Sequence, residues 1–185
     1  MTRCRVIDVI FLSFDAFFKH IESAKQVMAT EIERKFLLKD DSWRKLVERG
    51  SRFVQGYLTD EHNNTSVRIR IEDDTAALNI KGAVPGIRRL EFDYPIPVTD
   101  AQQLLDELCQ KPLIEKMRYY VRVGTHIWEI DVFEGDNQGL VVAEVELGSE
   151  DEDFQRPDWL GKEVSHEHRY YNHYLSRHPY RSWQD

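Results

Sequence analysis

The sequence predicts an α+β protein built on an antiparallel sheet, with helices covering one side of it. Three observations carry that prediction. Eight segments alternate apolar and charged residues with period 2, the mark of strands with two unlike faces. Most of them follow one another across short turns, which favours antiparallel neighbours over a wound α/β arrangement. Helical periodicity is confined to three short stretches.

The elements follow in order. Thr30 to Leu38 (TEIERKFLL) is the first strand. Asp40 to Arg49 is expected as a helix, with Asp40 or Asp41 as cap, Trp43, Leu46 and Val47 as its apolar stripe, and Gly50 as its stop. Ser51 to Thr59, Ser66 to Glu72 and Ala76 to Lys81 are strands, the last two joined at Asp73-Asp74. Gly82 to Gly86 (GAVPG) is a turn, and Ile87 to Ile96 is the next strand, stopped by Pro97. Thr99 to Gln110 is a capped helix. Ile114 to Val123, His126 to Phe133 and Leu140 to Leu147 complete the eight strands, and a last helix is expected over Arg169 to Arg177. Residues 28–185 are expected to form one domain. Residues 1–27 are read as an N-terminal extension. Its apolar run Val6 to Phe18 contains Asp8 and Asp15 and is shorter than the roughly 20 residues of a membrane span. Met28 is the expected natural start, with an amphipathic docking helix as the alternative.

Charge and cysteine content exclude some functions. Lys+Arg number 25 against 33 Asp+Glu, a formal net charge of −8, which argues against a duplex-binding protein. A local basic pocket for a small anion is compatible with it. Cys4 and Cys109 form neither a C-x-x-C nor a metal spacing, so a cytoplasmic protein without a disulfide framework is expected.

Parity divides each strand into two faces. One face carries Glu31, Glu33 and Lys35; Arg68, Arg70 and Lys81; Glu91 and Asp93; Lys116, Arg118 and Arg122; Glu129 and Asp131; Glu144 and Glu146. The other is apolar throughout. Two arrangements satisfy this pattern. In an open sheet the charged face meets water. In a curled sheet it turns inward, at a desolvation cost that a highly charged ligand and metal would offset. The E-x-E pairs favour the second. Carboxylates at i and i+2 lie roughly 6.5–7 Å apart on one strand face and can converge on one hard divalent cation. Oxygen-only ligation suits Mg²⁺ or Mn²⁺. Arg68 and Arg70 can fork onto phosphate oxygens, while Lys35, Lys81 and Lys116 act as point charges.

The run Glu31-Ile32-Glu33-Arg34-Lys35 resembles the E-x-E-x-K signature that opens the CYTH superfamily, the triphosphate tunnel metalloenzymes. Arg68 and Arg70 in SVRIRIE, Lys81 in LNIKG, Glu91 in RLEFDY, Lys116 and Arg118 in EKMRYY, Glu129 and Asp131 in WEIDVF, and Glu144 and Glu146 in AEVEL follow in order, to about Tyr174. The resemblance implies an eight-stranded antiparallel barrel, a tunnel with a charged interior and helices outside. It implies a small-molecule triphosphate substrate and Mg²⁺ or Mn²⁺, without nucleic-acid or membrane partners, in a monomer or homodimer. By similarity, Glu31, Glu33, Asp131, Glu144 and Glu146 would hold metal, with Glu129 assisting. Lys35, Arg68, Arg70, Lys81, Lys116, Arg118 and Lys162 would hold phosphates, with Glu91 lining the tunnel. Tyr57 resembles the family tyrosine that restrains the first-strand lysine. The implied reaction is metal-dependent hydrolysis of tripolyphosphate to pyrophosphate and phosphate. The alternatives are a class IV adenylate cyclase, a thiamine triphosphatase, and a non-catalytic polyphosphate- or nucleotide-binding module. The C-terminal histidines His166, His168, His173 and His178 lack a spacing that aligns them on one helix face, so a solvated helix is preferred to a zinc site there.

Overall fold

A computed structural model describes residues 32–60, 65–82 and 91–183, with Glu91 described by its backbone alone. The proposed start at Met28 and the residues 1–27 lie outside the described residues. The described chain forms one antiparallel sheet of nine strands: β1 (Ile32–Leu38), β2 (Val47–Tyr57), β3 (Thr65–Glu72), β4 (Thr75–Gly82), β5 (Glu91–Pro95), β6 (Ile114–Val123), β7 (His126–Phe133), β8 (Val141–Leu147) and β9 (Leu160–Glu163). Their order across the sheet is β5-β4-β3-β2-β6-β7-β8-β1-β9. The eight-strand count is therefore one short. The ninth, β9, is four residues long and too short to show a periodic pattern. It pairs with β1 where Gly161 passes so close that a Cβ would sit 2.7 Å from the Leu37 carbonyl oxygen. Among the described residues β5 and β9 are the two ends of the sheet, and no ladder joins them.

The expected helix over Asp40 to Arg49 is replaced by a single 3-10 turn, Ser42–Leu46, after which the chain is already in β2. Asp40 accepts the Ser42 amide (2.8 Å) in a local turn rather than capping a helix. Val47 and Arg49 pair with Val121 and Tyr120 of β6, and Gly50 lies inside the strand against the Tyr119 ring. The long β2–β6 ladder thus wins over a short amphipathic pattern, because helix propensity over ten residues is weak. The second expected helix is present as α1 (Val98–Glu107), entered from Pro97 and closed by Lys111, whose amine donates to the Leu105 carbonyl (2.7 Å). The last one shrinks to a 3-10 turn, His168–Tyr170, and one helical turn, α2 (Asn172–Leu175). No helix among the described residues is long and apolar enough to cross a membrane.

The apolar strand faces pack as expected. Phe36, Trp128, Ile130, Ala143 and Val145 of neighbouring strands form one core with Trp43 and Trp159. Ile69, Ile71 and Ala76 form another, covered by Ala101 and Leu105 of α1. Trp43 and Leu105 are fully buried, whereas Leu46 of the expected stripe is exposed, as is Leu108. The charged face turns apolar at one end. There Ile114, Phe133 and Val142, which share a face with Lys116, Asp131 and Glu144, are covered by Tyr170 and Leu175 of the C-terminal segment.

Candidate active site

The registers gather the charged residues onto one face. Glu33 stands opposite Glu146 and Lys35 opposite Glu144; Glu129 stands opposite Glu144. Arg118 faces Asp131 across β6–β7, and Arg68 and Arg70 face Tyr57 and Gln55 across β2–β3. The face is curled inward. β1 and β2 are separated by three strands, about 19 Å along a flat sheet, yet the C-terminal segment touches both. Lys35 meets Tyr170 and Tyr171, while the Tyr57 ring stands edge-on to His173 at 5.0 Å.

The floor of this face is an ion-pair network almost without water access. Asp131 is fully buried and Lys116 is 1% exposed. The Lys116 amine donates to Asp131 Oδ2. Arg118 donates Nε to Asp131 Oδ1 and Nη2 to Oδ2, both at 2.7 Å, and Nη2 also reaches Glu144 (2.8 Å). Its Nη1 pairs with Glu129. Lys35 pairs with Glu144 at 2.7 Å and lies 3.7 Å from Glu33. Three cations therefore face three carboxylates, and Glu33 is a fourth acid at the edge.

That surplus acid is visible in its proton affinity. Desolvation, and then the neighbouring Glu144, push the Glu33 carboxyl up to about 8. Burial opposes ionisation of Glu144, but Lys35, Arg118 and Lys116 outweigh it and hold Glu144 well below the carboxylate range. Burial likewise opposes the charge on Lys35, and Glu144 and Glu33 hold the amine above its ordinary value. Burial and the charge of Arg118 push Lys116 below its own.

The remaining expected residues fall into three groups. Lys81 stands opposite Ser66 on β4, and Arg70 reaches Asp93 (3.4 Å), so both share the charged face with Arg68. Glu31 and the Glu91 side chain lie outside the described residues. Lys162 is an exposed residue of the edge strand β9, held by Glu167 at 2.6 Å. The expected Tyr57 restraint of Lys35 takes a different form. Tyr57 accepts a hydrogen bond from Gln55 (3.3 Å), and Arg68 is its other hydrogen-bonded neighbour. The Lys35 amine lies instead against the Tyr170 carbonyl (3.5 Å) and the Tyr171 ring (5.2 Å). The expectation that Asp131 ligates metal meets a carboxylate whose two oxygens are both taken by cationic donors.

Sequence reasoning missed Phe53. Its ring lies 5.3–5.9 Å from the charges of Arg70, Lys116 and Arg118, and it is 3% exposed. The parity of β2 was the available signal, since Ser51, Phe53, Gln55 and Tyr57 alternate onto the charged face.

Among the described residues no group of three or more His, Cys, Asp or Glu is preassembled for a metal ion. The acid pair nevertheless suits a hard cation. Glu33 and Glu144 both approach the Lys35 amine, and Glu146 stands opposite Glu33, so carboxylate oxygens from two neighbouring strands are close enough for a hard divalent cation to draw on them.

Residues 29–174 match the CYTH domain family. The chain is 42% identical over 158 residues to an inorganic triphosphatase of Acetivibrio thermocellus, covering 85% of this chain and all of that one. It is 34% identical to an inorganic triphosphatase of Nitrosomonas europaea, covering 80% of this chain and 97% of the relative. A crystal structure of an inorganic triphosphatase superposes with a TM-score of 0.60 at 32% identity, over 80% of this chain and 95% of the other.

Proposed function

Since the chain belongs to the CYTH domain family, we propose that it is an enzyme that hydrolyses a phosphoanhydride bond of a small triphosphate, with inorganic tripolyphosphate as substrate. One observation carries this reading: Lys35 and Arg118 meet on Glu144 next to Glu33, above the buried Lys116–Asp131 pair, on the same inward face that carries Arg68, Arg70 and Lys81. Six cations on one curled face, Lys81 included, match a short polyanion.

The carboxylates Glu33, Glu144 and Glu146 are the residues that would hold a divalent cation, Mg²⁺ or Mn²⁺, which would supply charge neutralisation and an activated water. The chain's own cations do the rest. Lys35 exchanges its bond to Glu144 for a phosphate oxygen, which frees that carboxylate. Arg118 and Lys116 stay aimed by Asp131, so their charge sits where it builds up in the transition state without reorganisation. Asp131 is thus a positioning residue, and Glu129 steadies the outer side of the Arg118 guanidinium. Burial of Lys116 and Asp131 strengthens their interaction relative to water.

The test is phosphate release from tripolyphosphate, thiamine triphosphate and ATP, each with Mg²⁺, Mn²⁺ or EDTA. Turnover of tripolyphosphate that is highest of the three and vanishes with EDTA is expected. Cyclic AMP from ATP without phosphate release would replace this reading by the cyclase one. Binding without any turnover would replace it by a binding module.

A further inference from the structure

We propose that Tyr171 is the positioning residue for Lys35, holding its ammonium with the face of the ring while phosphate is bound. This rests on the reading of Lys35 as a phosphate-binding cation. The amine has three oxygen neighbours, and two of them belong to the carboxyl groups of Glu144 and Glu33. A carboxylate that steadies a lysine also repels a triphosphate, and both glutamates would be drawn from the amine on holding a divalent cation. The Tyr170 carbonyl and the Tyr171 ring remain. Neither carries a charge, so both hold the amine without opposing the substrate.

The ring is fixed to the residue it positions. The Tyr171 hydroxyl donates to the Ser165 carbonyl (2.7 Å). Ser165 Oγ in turn accepts the Lys35 amide (2.9 Å), and the Val164 amide donates to the Lys35 carbonyl (2.8 Å). An edge contact with His168, 5.1 Å between ring centroids, supports the ring from the other direction. One short segment therefore grips the backbone of Lys35 at Val164 and Ser165 and its amine at Tyr170 and Tyr171. A lysine stem free to rotate loses much of its preference for one phosphate; a stem gripped at both ends keeps it.

The test separates the ring's charge distribution from its volume. Tyr171→Phe keeps the ring face and removes the hydroxyl anchor, so it is the reference against which the next variant is read. Pentafluorophenylalanine at the same position has nearly the same shape and an inverted quadrupole, and is expected to lower kcat/KM for tripolyphosphate about tenfold. In a Lys35→Ala background the two should be indistinguishable, since a residue acting through Lys35 has nothing left to act on. Equal kcat/KM for the two rings, or an equal loss in the Lys35→Ala background, would overturn the proposal. A second readout needs no turnover: the ε-methylene protons of Lys35 should show an upfield ring-current shift in the unmodified protein, lost in Tyr171→Leu. Random-coil values in the unmodified protein would refute the contact. An unmodified protein that shows the shift but hydrolyses no triphosphate would sink the functional reading and leave the contact standing.

Discussion

Replacing Asp131 by asparagine should be the most destabilising single-atom-scale change on the charged face. The carboxylate is fully buried and accepts from Lys116 and twice from Arg118, the latter at 2.7 Å each. Asp131→Asn keeps the volume, removes the charge and turns an NH₂ toward donors. Two buried cations then lose their shared partner. Breaking a buried pair by removing one member costs about 3–5 kcal/mol. Lys116→Met is the informative contrast. It leaves Asp131 with both Arg118 bonds, so the loss is that of one charged hydrogen bond, about 1.5–3 kcal/mol. The methionine also fills the lysine's apolar path past Phe53 and Phe133. Urea unfolding followed by circular dichroism measures both variants, with an unchanged m-value as the check on two-state behaviour. The reasoning is refuted if Asp131→Asn loses less than about 1 kcal/mol, or if Lys116→Met loses as much as Asp131→Asn, because the asymmetry of partners is what sets the order.

Further outcomes follow from the same structure. Glu33→Gln and Glu146→Gln should each abolish metal-dependent phosphate release while leaving the far-ultraviolet circular dichroism unchanged; near-normal activity in both would remove these residues from the metal site. Glu33 is raised to about 8 in the folded protein against an ordinary value of 4.5, so the folded state holds the extra proton between those values. Its contribution to stability is complete below pH 4.5 and is lost as pH rises through 8; metal-free melting temperatures of the parent, compared with Glu33→Gln, should show that decline only in the parent. Over the same interval Mg²⁺ affinity, measured by calorimetry, should increase with pH because binding expels the Glu33 proton. Gly161→Ala should destabilise by about 1–3 kcal/mol, since its Cβ would lie 2.7 Å from the Leu37 backbone oxygen and neither backbone can yield without breaking the β1–β9 contact; a melting temperature equal to the parent's would show that β9 is free to move.

What the sequence by itself determined is the identity of each face. Alternation with period 2 is a local property, so Glu33 and Lys35 had to fall opposite Phe36, and Glu129 and Asp131 opposite Trp128 and Ile130. The α1 helix was legible for a similar reason: helical periodicity after the strand stop at Pro97 is a pattern within ten residues, although the expected side-chain cap is absent. Two features were decided only by tertiary structure. Val47 to Arg49 read as helix because the competing partner, Tyr120 and Val121 of β6, lies some seventy residues away, and no local pattern reports a ladder of that range. The same limit applies to the division of labour among like residues. Asp131 and Glu144 look equivalent in the chain, yet register gives Asp131 to Lys116 and Arg118, and gives Glu144 to Lys35 beside Glu33. Lys35 shows it most plainly: a lysine's surroundings at its tip, several bonds from the backbone, depend on which distant segment arrives there. That segment is Tyr170-Tyr171, brought back across the face by its packing on Ile114, Phe133 and Val142.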